Sequence, residues 1–166
     1  MEARNLAALP AGIDHTVAAA LPISGLTAWQ GLFDHAQLKT GQTVLIHGAA
    51  GGVGSIAVQL ARELGARVIG TGRAADRQAA LGLGADAFVD LQAGRLAEVG
   101  EVDVVFDVIG GGVLARSVPL VRAGGTLVTT VSPPKARPAG GRAVFFVVEP
   151  DRFRWRTSPS GCGPGG

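Results

Sequence analysis

The chain of 166 residues has no tyrosine, one cysteine, one methionine and only 5% aromatic residues. With Cys162 alone, neither an internal disulfide framework nor a multi-cysteine zinc site can form within it. Its three histidines, His15, His35 and His47, are too widely spaced to suggest a metal-ligand cluster, so no metal site is expected. No apolar run reaches the roughly 18 residues of a membrane-spanning helix. The start, MEARNLAALPAG, carries Glu2 and lacks the long apolar stretch of a secretion signal. The expected location is therefore cytoplasmic, with no membrane partner. Charged residues are also sparse, at 17%, against 47% apolar residues. That balance, at this length, describes one soluble globular domain rather than a disordered chain or a coiled coil. The 26 glycines require a separate explanation.

The formal net charge of +2 raises the question of a nucleic-acid partner. Its distribution answers it. Residues 135–166 hold six bases (Lys135, Arg137, Arg142, Arg152, Arg154, Arg156) against Glu149 and Asp151, which leaves nine bases and eleven acids in residues 1–134. The basicity belongs to the tail, and no basic stripe with interleaved aromatics accompanies it, so nucleic acid is not an expected partner.

From Val44 onward, short β-branched runs alternate with longer helical stretches, which marks an α/β fold with a parallel sheet. The strands expected are Thr43 to His47, Arg67 to Thr71, Ala87 to Val89, Val102 to Ile109, Thr126 to Val131 and Arg142 to Val148. Helices are expected over Thr16 to Phe33, after Gly52, over Ala74 to Leu83 and from Gly111 to Val121, with Gly124-Gly125 turning the chain. In the second of these, Val53, Ile56, Leu60 and Leu64 recur at helical spacing opposite Ser55, Gln59, Arg62 and Glu63. The run VDVVFDVI does not alternate with polar residues, so that strand should be buried on both faces.

The glycines find their use between the first strand and its helix, where the turn reads Ala49-Ala50-Gly51-Gly52-Val53-Gly54. A strand, a side-chain-poor turn and a helix start form the arrangement that admits a dinucleotide pyrophosphate to backbone N–H groups. The first glycine of the usual G-x-G-x-x-G is here Ala49. At the end of the second strand, where an acid would bind the ribose hydroxyls of NAD, the sequence is Thr71-Gly72-Arg73, with Arg77 one helical turn later. Two guanidinium groups at that place favour the 2′-phosphate of NADP(H) over NAD.

These blocks, Leu21-Pro22 through Leu26-Thr27-Ala28-Trp29, then VLIHGAAGGVGSIAVQLARELGARVIGTGR, LGADAFVD, VDVVFDVIGG and GGTLVTTV, resemble the cofactor half of the medium-chain dehydrogenase/reductase superfamily. Within it they are most similar to the zinc-independent quinone oxidoreductases. The resemblance covers about Leu6 to Glu149. It implies a Rossmann-type doubly wound sheet of about six strands over residues 16–150 and NADPH-dependent hydride transfer to a quinone, enone or similar activated double bond. Ala50, Gly51, Gly52, Val53 and Gly54 would lie under the pyrophosphate. Thr71, Gly72, Arg73 and Arg77 would surround the adenosine 2′-phosphate. Val108, Ile109, Gly110 and Val131 would lie beside the nicotinamide, and Thr27 near its ribose and phosphates. No side-chain acid is implied as the proton donor, and the position where zinc-dependent relatives carry a ligand cysteine falls at about Ile23. Leu91 stands where a tyrosine often lies near the adenine.

The family carries a partly β-barrel catalytic domain ahead of this segment, and residues 1–15 are too few to supply it. The expectation is thus a reductase lacking most of that domain, with a non-catalytic NADP-binding remnant as the alternative. A homodimer or association with another chain through the face left exposed is expected. Residues 151–166 keep no helical period; were Arg154 to Gly166 encoded with G or C at most third positions, a shifted reading would restore one, so this tail is expected to be disordered or frame-shifted. The remaining chemistry-bearing residues read as structural. His47 ends the first strand, Asp103 starts a strand, Asp107 is a buried hydrogen-bonded group, and Ser24, Ser55 and Ser117 lack any nucleophile context.

Overall fold

The computed structural model describes Leu9 and residues 11–150. Asp14 accepts the Thr16 N–H at 2.8 Å and starts helix α1 (His15–Trp29), which passes directly into one π-helical turn, Gln30–His35. Six strands follow with their helices: β1 (Thr43–His47), α2 (Gly52–Glu63), β2 (Arg67–Gly72), α3 (Arg77–Gly82), β3 (Ala87–Asp90), β4 (Val102–Asp107), α4 (Gly111–Ser117), β5 (Val121–Thr129) and β6 (Arg142–Phe145). All adjacent strands pair in parallel, in the order β3-β2-β1-β4-β5-β6. This is the doubly wound order, whose direction of winding reverses between β1 and β4 and opens a crevice at their carboxyl ends.

Both faces of the sheet are covered. On one side Val44, Ile46, Val68, Val104, Phe106 and Val128 pack with Leu32, Ala57, Val58, Ala61 and Ala80. On the other, Leu45, Ile69, Val105 and Leu127 pack with Leu96, Leu114 and Leu120. Successive strand residues point to opposite layers, so a strand buried on both faces is apolar except where a polar side chain finds a buried partner, as His47, Thr71 and Asp107 do at the strand ends. The expected double burial of VDVVFDVI holds for Val102 and for Val104 to Asp107, whereas Asp103 and Val108 are half-buried and Ile109 is exposed. A Cβ at Gly31 would overlap the Phe106 ring, and the bare backbone there lets the π-helical turn rest on β4. No helix among the described residues is long and apolar enough to cross a membrane.

Several boundaries differ from those expected. β4 ends at Asp107 rather than Ile109, because the Asp107 carboxylate takes the Ile109 and Gly110 N–H groups out of the ladder. α4 ends at Ser117, and the chain tightens to a 3-10 turn over Val118–Leu120, where Pro119 has no N–H to continue the helix. β5 begins at Val121, so Gly124-Gly125 forms an irregularity inside the strand rather than a turn before it; Val102 pairs with Val121 but Val104 with Thr126. Gly124 adopts φ +78°, a conformation open to glycine. The stretch expected as one helix from Ala74 to Leu83 splits into a 3-10 turn, Ala74–Asp76, and α3, and β6 stops at Phe145 rather than Val148. The expected tail lies outside the described residues.

Candidate functional site

The turn after β1 is held by backbone. Gly48 has φ +70°, its carbonyl accepts the Gly51 N–H at 2.8 Å, and the Ala49 N–H donates to the Thr71 carbonyl at 3.0 Å. A Cβ at Gly54 would lie 2.7 Å from the Gly48 carbonyl carbon and closer still to its oxygen. Only glycine allows α2 to start so near the strand. The first turn-closing bond of α2 is Ser55 N–H to Gly51 carbonyl at 2.8 Å, and no side chain caps the helix. The N–H groups of Gly52, Val53 and Gly54 therefore point ahead of the helix without an intrahelical acceptor. A Cβ at Gly52 would meet only Ser24 Oγ, at 3.4 Å, so the cradle stands open with little side chain in it. Its partial positive charge suits a phosphate. Ala50 is half-buried in the same turn.

Across the crevice, Val108, Ile109, Gly110 and Val131 gather at the ends of β4 and β5. Val108 Cγ2 lies 3.1 Å, and Ile109 Cγ1 3.6 Å, from where a Gly48 Cβ would be. Gly110 has φ +77°, and Val131 Cγ1 lies 2.7 Å from its Cβ position. Ile109 and Val131 remain 42% and 47% exposed, an apolar wall open beside the cradle. Asp107 fixes this wall from below. Fully buried, its carboxylate accepts Ile109 N–H at 3.2 Å, Gly110 N–H at 3.0 Å and the Thr129 hydroxyl at 2.8 Å.

A second buried polar chain lies beside it. His47 is fully buried, with Nδ1 2.7 Å from Thr71 Oγ1 and Nε2 2.7 Å from Ser117 Oγ. The Ser117 hydroxyl donates to the Val113 carbonyl at 2.9 Å, which assigns the ring hydrogen to Nε2 and leaves Nδ1 to accept from Thr71. Burial pushes His47 down to about 4, outweighing the opposing pull of nearby Asp107. The ring is neutral, and the residue ties β2 to α4, in keeping with a structural reading. The fully buried Thr71 is thereby occupied in the interior, as is Thr27, whose hydroxyl donates to the Ile23 carbonyl at 2.6 Å. One helical turn earlier, Ser24 places its hydroxyl at the cradle, a proximity that no local pattern announces.

At the end of β2, Arg73 is extended and 77% exposed, and its guanidinium meets the Asp76 carboxylate, Nε at 3.3 Å and Nη2 at 3.4 Å. Arg77 turns elsewhere, donating from Nη1 to the Phe88 carbonyl of β3 at 3.1 Å and lining a groove with Arg67, Arg95 and Glu98. The two arginines thus hold different partners. Gly72 keeps the strand end open for Asp76, whose Oδ2 sits 3.1 Å from where a Gly72 Cβ would stand. An acid does occupy this corner; it comes from three residues beyond the arginine, brought back by the 3-10 turn.

Residues 52–147 match the family Zinc-binding dehydrogenase. The chain belongs to the medium-chain dehydrogenase/reductase superfamily. It is 44% identical over 131 residues to the spectinabilin polyketide synthase system protein NorB of Streptomyces orinoci, covering 75% of this chain and 6% of that protein. The quinone oxidoreductase of Thermus thermophilus, a structure that includes its complex with NADPH, superposes with a TM-score of 0.73 at 33% identity over 86% of this chain and 49% of that one. The CurK enoyl reductase superposes with the same TM-score, 0.73, at 25% identity over 93% of this chain and 50% of that one. The chain therefore spans about half of these superfamily structures and a small part of the synthase. Among the described residues no group of three or more His, Cys, Asp or Glu could hold a metal ion.

Proposed function

We propose that this medium-chain dehydrogenase/reductase segment binds NADPH and forms the nucleotide half of a reductase of activated carbon–carbon double bonds. The observation that carries this reading is the glycine-rich, side-chain-poor start of α2, pinned on Gly48 beside the exposed wall of Ile109 and Val131. The N–H groups of Gly52, Val53 and Gly54 would hold the pyrophosphate, and Arg73 the adenosine 2′-phosphate. Val108, Ile109, Gly110 and Val131 would flank the nicotinamide and keep water from one face of it, with Asp107 holding their backbone in place. NADPH, when bound, supplies the hydride; the protein supplies position. An enoyl thioester is favoured over a free quinone as the acceptor, on the strength of the polyketide synthase relative and the enoyl reductase neighbour.

Titration of the purified chain with NADPH, followed by NADPH oxidation in the presence of a short enoyl thioester or a quinone, tests this. Saturable NADPH binding supports the nucleotide-binding reading, and its absence refutes it. Turnover of the quinone with the thioester inert would overturn the choice of acceptor. Binding with no turnover of either would identify the chain as a cofactor-binding unit without catalysis of its own.

A further inference from the structure

The corner at the end of β2 is where a Rossmann fold distinguishes a ribose hydroxyl from a ribose phosphate: an acid accepts from the former, an arginine receives the latter. This chain places both there, bound to each other. The Asp76 carboxylate takes the Arg73 backbone N–H at 3.0 Å in addition to the two guanidinium contacts. Asp76 is the more fixed partner, with a side chain 26% exposed against 77% for Arg73. The bond from the Arg73 backbone, first among its causes, holds the Asp76 carboxyl below the usual carboxylate range, so it is ionised at neutral pH. A phosphate arriving at this corner must share Arg73 with an existing anion and sit close to that anion's charge. A free ribose hydroxyl meets an acceptor already in place.

We propose that Asp76 is a specificity-determining residue that narrows the preference for NADPH over NADH: it restrains Arg73 when no phosphate is present and offers its carboxylate to an unphosphorylated ribose. The inference rests on the cofactor reading given above. A purely structural cap would have a different signature. The same hydrogen bonds close the 3-10 turn, and losing them would weaken both nucleotides by the same factor.

The test is the affinity of the full chain for NADPH and NADH, with 2′,5′-ADP and 5′-AMP as competing probes, in wild type, D76N, R73Q and the double variant. Asparagine retains an acceptor for the Arg73 N–H and removes the charge. D76N is expected to raise the NADPH-to-NADH affinity ratio roughly fivefold or more, with 2′,5′-ADP gaining over 5′-AMP in step. In the R73Q background the gain should shrink, because the released guanidinium is part of it. Asp76→Ser, a shorter neutral acceptor, gives the same comparison should D76N fold poorly. An unchanged ratio in the neutral variants, with NADPH still bound, overturns the role of Asp76 alone. Failure of wild type to bind either nucleotide overturns the cofactor reading and this inference with it.

Discussion

The contact between Gly54 and Gly48 separates stability from binding at two neighbouring glycines. In Gly54→Ala the new methyl carbon would stand 2.7 Å from the Gly48 carbonyl carbon and 3.0 Å from Ala49 Cα, where ordinary contact begins near 3.4 Å. Every atom it meets is backbone, so no rotamer relieves the overlap. To clear the still nearer Gly48 oxygen the start of α2 has to retreat by more than about 1 Å, or Gly48, already at φ +70°, has to turn. Overpacking of this kind costs about 3 kcal/mol, and the better helix propensity of alanine returns about 1 kcal/mol. The net loss of about 2 kcal/mol corresponds to a fall in Tm of roughly 4–8 °C for a domain of this size. Gly52→Ala is the control. Its methyl meets only Ser24 Oγ at 3.4 Å, so stability should stay within about 0.5 kcal/mol, yet the methyl occupies the open mouth of the cradle. Thermal unfolding with parallel NADPH titration should show Gly54→Ala losing both properties and Gly52→Ala losing affinity, tenfold or more, at nearly unchanged Tm. Wild-type NADPH affinity in Gly52→Ala, or unchanged Tm in Gly54→Ala, would refute the cradle.

Arg73→Ala should lower NADPH affinity severalfold while leaving NADH nearly unaffected; equal losses by calorimetric titration would remove Arg73 from the phosphate site. His47 makes stability depend on pH. Its folded value, about 4, lies below the ordinary 6.5, so its contribution is complete above pH 6.5 and is lost as pH falls toward 4, when the unfolded chain takes up the proton. The loss amounts to roughly 3 kcal/mol, and urea midpoints between pH 7.5 and 4.5 should show that slope in wild type and a much weaker one in His47→Gln. Gln30→Ala removes both hydrogen bonds to the Glu149 backbone, 2.7 and 3.0 Å, from a side chain 6% exposed. Its unfolding free energy should fall by about 1–3 kcal/mol.

The doubly wound sheet and the cradle were legible because both depend on local pattern. A strand covered on both faces has to read as an unbroken apolar run, and Val44-Leu45-Ile46 and Val104-Val105-Phe106 do. The glycine cluster announced itself by standing between such a run and an amphipathic helix. What escaped depends on folding back. Asp76 lies past the position where the pattern expects an acid, and it reaches the end of β2 only because a 3-10 turn closes there. Ser117 acquires a histidine partner 70 positions away through strand register and the packing of α4, which no spacing rule encodes. The Gly124-Gly125 pair looks like a turn in sequence, and its role as an irregularity within β5 follows from pairing with β4. Thr27, which the resemblance places near the nicotinamide ribose, donates its hydroxyl to the Ile23 carbonyl one turn back in α1, a bond that sequence spacing does not announce.

The Gln30 amide, which both donates to and accepts from the Glu149 main chain, joins positions 119 apart in sequence. The stretch leaving α1 and the stretch following β6 are therefore latched to each other, on the side where the π-helical turn rests on Phe106, so loosening one loosens the other.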